Sequence, residues 1–297
     1  MELLHLDVPP DELGPDPVLV VSMDGWTDAG EGGTLAARAL REGGERRRVG
    51  QFDADLLYDY RDRRPTLAID RGRLGVPQWP TLVVDHLVGE DGPPLLLVHG
   101  AEPDLRWRTL AADLAELCEL AGARRYVGLG AVPGPIPHTR PVQLIGTSND
   151  DATLRRGSRP HVQEVVPSSC QVALEASLAA AGLDTLGLWV RIPHYVAGDY
   201  PDAARALLEA LQGELGTPVE LTDLQVAAAE TRARLDLAAS GSEEIREHVA
   251  QLERMYDAEV EAERLVTAEQ EPPMSEQQVP SAEELGAEIE RFLRGRD

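Results

Sequence analysis

Residues 18–41 read VLVVSMDGWTDAGEGGTLAARALR, and they already indicate the class of fold. VLVVSM is apolar at nearly every position, which is typical of a strand buried on both faces. A glycine-rich turn follows, and apolar residues spaced three or four apart then predict a helix over residues 34–41. A buried strand, a turn and a helix make up the first part of an α/β unit.

The same alternation continues to about residue 215. It predicts further strands over residues 82–88, 95–99, 126–131, 142–145 and 186–192. It predicts further helices over residues 105–120, 171–181 and 203–215, and Gly122, Gly182 and Gly216 stand where helix C-termini favour glycine. We therefore expect an α/β fold in which helices cover both faces of a sheet.

The chain is expected to divide into an α/β core at 1–218, a helical extension at 219–268, a linker at 269–280 and a terminal helix at 281–297. Ser240 with Glu243 fits a capping box and predicts a helix start. An apolar stripe at helical spacing then predicts either a core contact or a subunit contact. Its members are Ile245, Val249, Leu252, Tyr256 and Val260.

Composition excludes several mechanisms. All 28 basic residues are arginine, so a phosphate loop, a Schiff base and a Ser-Lys dyad are ruled out. The formal net charge of −24 disfavours nucleic acid as a partner. The two cysteines are too few to form a metal site by themselves. The N-terminal segment carries acidic residues where a signal peptide would carry basic ones, and no apolar run is long enough to span a membrane. We expect a cytoplasmic protein with free thiols, no membrane contact, no metal and no cofactor.

The glycine-rich turn at residues 24–33 supplies the first candidate binding or interface residues, Trp26 and Asp28. Such turns bind anions when backbone N–H groups converge at a helix start. Here Asp28 and its acidic neighbours would repel a phosphate, and Leu35 replaces the third glycine of a dinucleotide motif. We do not expect a nucleotide site at this turn.

The stretch FDADLLYDYRDRRP at 52–65 is the second candidate, inside a long excursion over residues 50–80. Its acids could gather a hard cation, but no EF-hand glycine or terminal glutamate follows. An ion-paired surface segment that serves recognition or register is the preferred interpretation. The candidate residues are Asp53, Asp55, Asp59, Tyr60, Arg61 and Arg64.

Three further candidates lie at predicted strand ends. Glu102 precedes Pro103, and a proline at this position predicts a helix start. Alternatively, the loop that contains Glu102 could lie at the border of a ligand pocket. In the proline-rich loop at 130–141, His138 is a candidate general base and Arg140 a carboxylate clamp, with a structural turn as the alternative. The remaining candidates are Thr139, His194 and Tyr195, the last two being expected to meet His138 across the sheet end.

Standard catalytic signatures are absent from the sequence. There is no GxSxG, HExxH or CxxC motif, so no residue is assigned a catalytic role. His138, Arg140 and His194 remain the catalytic candidates.

Five stretches, taken in order, resemble the actinobacterial form of the proteasome assembly chaperone 2 family. They are GWTDAG at 25–30, FDADLLYDYRDRRP at 52–65, GAEPDLRW at 100–107, GAVPGPIPHTRP at 130–141 and IPHY at 192–195. The resemblance implies a three-layer α/β/α sandwich similar to the nucleoside phosphorylase fold, with homo-oligomers that are most often trimers. Relatives in eukaryotes and archaea assist 20S proteasome assembly, often through a hydrophobic-Tyr-X tail, which Gly295-Arg296-Asp297 does not match.

Two classes of function follow. The first is a non-catalytic, homo-oligomeric assembly or chaperone-like protein, with proteasome subunits as the candidate partner. The second is a phosphorylase-fold enzyme or binding protein for a small polar or nucleoside-like ligand, using Asp28, Glu102, His138, Arg140 and His194. A purely structural alternative makes the same motifs a subunit interface in which Asp/Arg pairs set the register.

Overall fold

The computed structural model describes residues 1–89, 91–150 and 165–270. The chain divides into two compact units, Met1–Glu253 and Arg254–Asp297. The predicted terminal helix at 281–297 and residues 271–280 of the predicted linker lie outside the described residues. Residues 269 and 270 of that linker belong to a helix.

Ten strands are described, eight of which form one central sheet. In chain order they are β1 Leu4–Leu6, β2 Val18–Asp24, β3 Glu45–Phe52, β4 Ile69–Asp70, β5 Arg73–Leu74, β6 Leu82–Val88, β7 Leu95–Ala101, β8 Arg125–Gly134, β9 Gln143–Ser148 and β10 Asp184–Pro193. The sheet order is β1-β3-β6-β7-β2-β8-β10-β9, and β4 pairs with β5 alone. All six strands predicted from the sequence are present.

The sheet is mixed, with four parallel strands at its centre. β7, β2, β8 and β10 run parallel to one another, while the flanking pairs are antiparallel. The central strands are apolar on both faces, as helix-covered parallel strands should be. Their carboxyl ends meet along one edge, and that edge carries most of the candidate residues.

Helices cover both faces of this sheet. They are α1 Gly32–Glu42, α2 Ala54–Leu57, α3 Trp107–Ala121, α4 Cys170–Ala180, α5 Pro201–Leu215, α6 Thr222–Ser240 and α7 Glu243–Gln270. The core on one face joins strand residues to α3 and α4, and the core on the other joins them to α1 and α5. The predicted three-layer α/β/α sandwich with C-terminal helices is confirmed.

Four strands were not predicted, namely β1 and β3 of the central sheet and the two-residue strands β4 and β5. β1 has only three residues, too few for a periodicity signal. β3 reads ERRRVGQF, and its first four side chains are exposed, so the polar start of this strand hides it. Both strands are held by antiparallel pairing, β1 to β3 and β3 to β6.

Two predicted helix starts are wrong. α3 begins at Trp107 and not at Pro103, because the N–H groups of Asp104 and Leu105 both donate to the Leu57 carbonyl at 3.0 Å. Ser240 ends α6 instead of starting a helix, since its hydroxyl donates to the Leu237 carbonyl at 2.8 Å. Capping of α4 by Ser169 agrees with the helix predicted there.

The C-terminal helices pack on the α/β layers within the first unit. Partly buried Leu224 and Leu235 of α6 contact the core that α1 and α5 share. In α7, Val249 and Leu252 of the apolar stripe are buried, whereas Ile245 is 44% exposed. The stripe is therefore buried within the chain at Val249 and Leu252. The predicted boundary between residues 218 and 219 stays a prediction.

Candidate functional site

Glu102, at the end of β7, joins three segments of chain. Its carboxylate accepts the N–H of Trp26 at 2.7 Å and the N–H of Cys170, at the start of α4, at 2.6 Å. Its own N–H donates to the Asp24 carbonyl at 2.9 Å. A Cβ on Gly25 would lie 2.2 Å from a carboxylate oxygen of Glu102, so the approach requires glycine. Both oxygens of this buried carboxylate are thus used to hold backbone.

Asp28 has a similar task at the start of α1. One oxygen accepts the N–H groups of Gly33 and Thr34 at 2.7 and 3.2 Å, and the other accepts the Thr34 hydroxyl at 2.5 Å. Burial raises the pKa of Asp28, and these hydrogen bonds oppose the rise. The side chain of Trp26, two residues earlier, is 72% exposed. The turn therefore offers an exposed indole, while both oxygens of the Asp28 carboxylate are used within the chain.

His138 and Tyr195 meet at the carboxyl edge of the sheet, as the sequence predicted. The buried His138 donates its backbone N–H to the Tyr195 hydroxyl at 2.8 Å, and its Nδ1 lies 2.6 Å from the same oxygen. Its Nε2 lies 3.2 Å from Asp236 of α6. A carboxylate can only accept, so Nε2–H donates to Asp236. In the neutral ring Nδ1 then accepts from the Tyr195 hydroxyl. This tautomer is neutral, and burial lowers the pKa of His138.

The next two residues of the proline-rich loop bind α7. The Thr139 hydroxyl donates to Glu253 at 2.5 Å, and Arg140 donates to the same carboxylate at 3.1 Å. Both Arg140 and Glu253 are about one-third exposed. Arg140 therefore binds a carboxylate of the chain itself, and its predicted role as a clamp for the carboxylate of a ligand stays a prediction.

His194 is exposed, and its ring lies against the ring of Tyr195. The ring centroids of His194 and Tyr195 are 5.5 Å apart, and those of His194 and His248 are 5.6 Å apart. The structure thus brings His138, His194 and Tyr195 together and adds His248 of α7. Asp28 and Glu102 are engaged elsewhere, each with its own backbone partners.

Two cavities of about 380 Å³ adjoin His138. The cavity between α5 and α6 includes Arg205 and Arg232. These arginines pair with Asp202 and Asp236 at 2.7 and 3.2 Å. The other cavity, beside α6 and α7, is lined mainly by apolar residues with His248 and Glu244. The His138 cluster is therefore a polar contact between the sheet edge and the C-terminal helices.

The stretch at 52–65 forms the base of a projecting ribbon. Asp53 accepts the N–H of Asp55 at 3.0 Å and caps α2, while the Tyr60 hydroxyl donates to Asp55 at 2.6 Å. Arg61 donates to Asp59 at 3.0 Å, whereas Arg64 is exposed. The Tyr60 ring also contacts Trp79, with centroids 4.7 Å apart. These contacts fix the two ends of the ribbon to each other.

Sequence reasoning missed the partners that α6 and α7 supply. Asp236, Glu253 and His248 lie about 50 to 115 residues along the chain from the residues they contact, at no fixed spacing. Nothing in one sequence marks such pairs. Among the described residues no three His, Cys, Asp or Glu side chains are placed to hold a metal ion. In the same part of the chain no helix is long and apolar enough to cross a membrane.

Replacing Glu102 by glutamine should destabilise the protein by about 1–3 kcal/mol, because the amide NH₂ would face one of two buried N–H donors. Chemical denaturation monitored by circular dichroism measures this difference. Glu119→Gln, on the exposed side of α3, is the matched control and should change stability by less than about 0.5 kcal/mol. Equal stabilities for the two variants would contradict the role given to Glu102.

His138 should make stability depend on pH. Its pKa is lowered in the folded state, so the unfolded chain binds a proton first as pH falls through about 6.5. The free energy of unfolding should therefore fall on acidification, and His138→Gln should reduce that fall. His86 and His99, whose pKa values are also lowered, remain in both proteins. The exposed His5→Gln control should keep the full pH dependence, and an unchanged profile in His138→Gln would contradict the prediction.

Comparisons with known proteins place these features in a family. The sequence profile of the PAC2 family matches residues 22–239. A Mycobacterium tuberculosis protein of unknown function is 36% identical, with a TM-score of 0.82 over 88% of this chain and 92% of that one. A PAC2 family protein from Streptomyces avermitilis is 32% identical, with a TM-score of 0.70 over 79% of this chain and 100% of that one.

A second Mycobacterium tuberculosis protein, a proteasome-assembly chaperone homologue, is 27% identical. Its TM-score is 0.73 over 78% of this chain and 99% of that one. No match was found among curated proteins. Since the family profile covers most of the sequence, including the turn at Gly25, the proline-rich loop and α6, the chain belongs to the PAC2 family.

Proposed function

We propose that this protein is a non-catalytic, homo-oligomeric assembly or chaperone-like protein that acts on proteasome subunits. Membership of the PAC2 family is the observation that carries the proposal. The relative described as a proteasome-assembly chaperone homologue supports the choice of partner. The proposed setting is the cytoplasm, in keeping with two free, buried cysteines, Cys118 and Cys170.

The use of the carboxylates favours this proposal over the phosphorylase-like enzyme. The carboxylate oxygens of Asp28 and Glu102 accept hydrogen bonds from backbone N–H groups and a hydroxyl group within the chain. Arg140 is bound to Glu253, and the His138 ring has a partner at each nitrogen. A catalytic group must instead reach a substrate atom, so this arrangement supports packing as the role of these residues.

The ribbon at residues 61–79, which we call the arm, supports self-association. Its backbone is closed by β4–β5 pairing and by the bridge between Thr66 and Gln78. A two-stranded ribbon alone is only marginally stable in water. Its large apolar side chains are nevertheless exposed, from 41% to 77%. They are Leu67, Ile69, Leu74, Val76 and Trp79.

The positive charge of the arm favours a second copy of this acidic chain as its binding partner. The arm carries five arginines and two aspartates, in a chain whose net charge is −24. A positive, partly apolar ribbon is therefore complementary to the acidic surface of another copy. We propose that arms from neighbouring subunits close a homo-trimer, with Arg61 and Arg64 at the contact.

The triple change Ile69→Ser, Leu74→Ser and Val76→Ser should dissociate the oligomer, because it removes the apolar area that the contact buries. Light scattering after size-exclusion chromatography should give about three times the 32.2 kDa subunit mass for the wild type and one subunit for the variant. Arg61→Gln with Arg64→Gln should shift the mass in the same direction. Leu120→Ser, at an exposed position of α3, is the control. Monomeric wild type would refute the arm contact.

Deleting the gene from a proteasome-containing host should slow 20S maturation, because subunits would assemble without the proposed chaperone. Native gels of pulse-labelled extracts measure the ratio of half-assembled to mature particles. Complementation with the wild-type gene should restore the ratio, while the serine-substituted arm should not. Normal maturation in the deletion strain would overturn the proteasome role and leave the oligomer measurement unaffected.

A further inference from the structure

A polar cavity of about 280 Å³ lies at the carboxyl ends of β2 and β7, between the sheet and α1. Ser22 and His99 are partners across these two parallel strands. Arg38 and Arg41 of α1 line the cavity from the other side. The crevice at the carboxyl ends of parallel strands is where α/β proteins commonly bind ligands. None of the candidate residues drawn from the sequence lines it.

Ser22 has a buried hydroxyl without a partner. The residue is 2% exposed, and its Oγ has no hydrogen-bond partner in the described structure. Leaving a buried hydroxyl unpaired is unfavourable, because the hydrogen bonds it made to water in the unfolded chain are not replaced. Because Ser22 lines the cavity, a molecule inside it is the available partner.

The opposite wall is organised by Asp85, which is 1% exposed. Arg41 and Arg48 each donate Nε–H to its carboxylate, at 2.9 and 2.7 Å, and His99 Nε2 lies 2.9 Å away. Burial alone would raise the pKa of Asp85, but hydrogen bonds from Arg48, His99 and Arg41 lower it to about 2. The charged carboxylate therefore fixes Arg41 and His99 at the cavity.

Two arginines and one aspartate, Arg38, Arg41 and Asp24, line the cavity. Behind this lining, Asp85 pairs with Arg41 and Arg48, Glu31 lies near Arg38, and Asp28 accepts from Thr34. Asp24, which also lines the cavity, has Arg63 at 4.0 Å. Nε of Arg41 is used by Asp85, so its terminal NH₂ groups are the donors left for a ligand.

We infer that this cavity binds a small oxyanion, either inorganic phosphate or a phosphate monoester, through Arg38, Arg41 and the Ser22 hydroxyl. Guanidinium groups are suited to phosphate, and a serine hydroxyl completes the set of donors. Burial lowers the pKa of His99, and its neutral ring leaves Nδ1 to accept from a protonated ligand oxygen. The volume equals that of roughly nine waters, so a small organic group also fits.

Isothermal titration with inorganic phosphate and with ribose 5-phosphate, at matched ionic strength in chloride, tests the inference. The wild type should bind at least one of them, and its Tm should rise by about 2 °C at ten times the Kd. Tighter binding of ribose 5-phosphate would assign a phosphorylated small molecule, and equal or tighter binding of inorganic phosphate would assign the free ion. A concentration of about 10 mM detects even a weak site, so the absence of binding by both compounds at that concentration would overturn the inference.

Two variants separate binding from folding. Arg38→Gln changes an exposed side chain and should raise the Kd at least tenfold. The control Arg124→Gln makes the same change of charge at the opposite end of the parallel strands and should leave the Kd unchanged. Ser22→Ala should leave the Tm of the free protein equal or higher, since it removes an unpaired hydroxyl, yet weaken the ligand response. Wild-type affinity in both Arg38→Gln and Ser22→Ala would also overturn the inference. None of these results depends on the oligomeric or proteasomal role.

Discussion

Buried carboxylates that accept backbone N–H groups hold the connections of this protein in place. Glu102 links the Gly25 turn, β7 and the start of α4, and Asp28 closes the start of α1. Asp113 of α3 accepts the N–H groups of Glu2, Leu3 and Leu4 and so anchors β1. A buried backbone donor without a partner costs as much as a lost hydrogen bond. Each of these acids is therefore tied to one local geometry by the N–H groups that it accepts.

The sequence was most informative where a pattern is local. Apolar runs and helical spacing located the central strands and α1, α3, α4 and α5, because burial on both faces leaves a compositional trace. It failed at β3, whose exposed arginines conceal a strand, and at Pro103, where a distant carbonyl of Leu57 takes the N–H groups that a helix would use. Long-range backbone partners leave no such trace.

The sequence allowed the loops of the candidate site to be predicted, but not the helices that contact them. Proline-stiffened and strand-end loops correctly indicated that His138 and Tyr195 would meet, because the carboxyl ends of parallel strands share one edge. Their partners Asp236 and Glu253 come from helices whose docking depends on tertiary packing. The cavity at Ser22 did carry a signal, since Asp85 interrupts the apolar strand β6 and a buried acid demands cationic partners.

The tryptophans divide into two kinds of optical reporter. Trp26 and Trp79 are 72% and 50% exposed, whereas Trp189 is buried and Trp107 half-buried, and their indole N–H groups donate to Thr147 and Pro103. Emission from exposed indoles lies at longer wavelength and is quenched by solutes that interior indoles escape. A loss of quenching at constant secondary structure would thus report that the turn or the arm has been covered, while a change in the protected fraction would report loosening of the sheet.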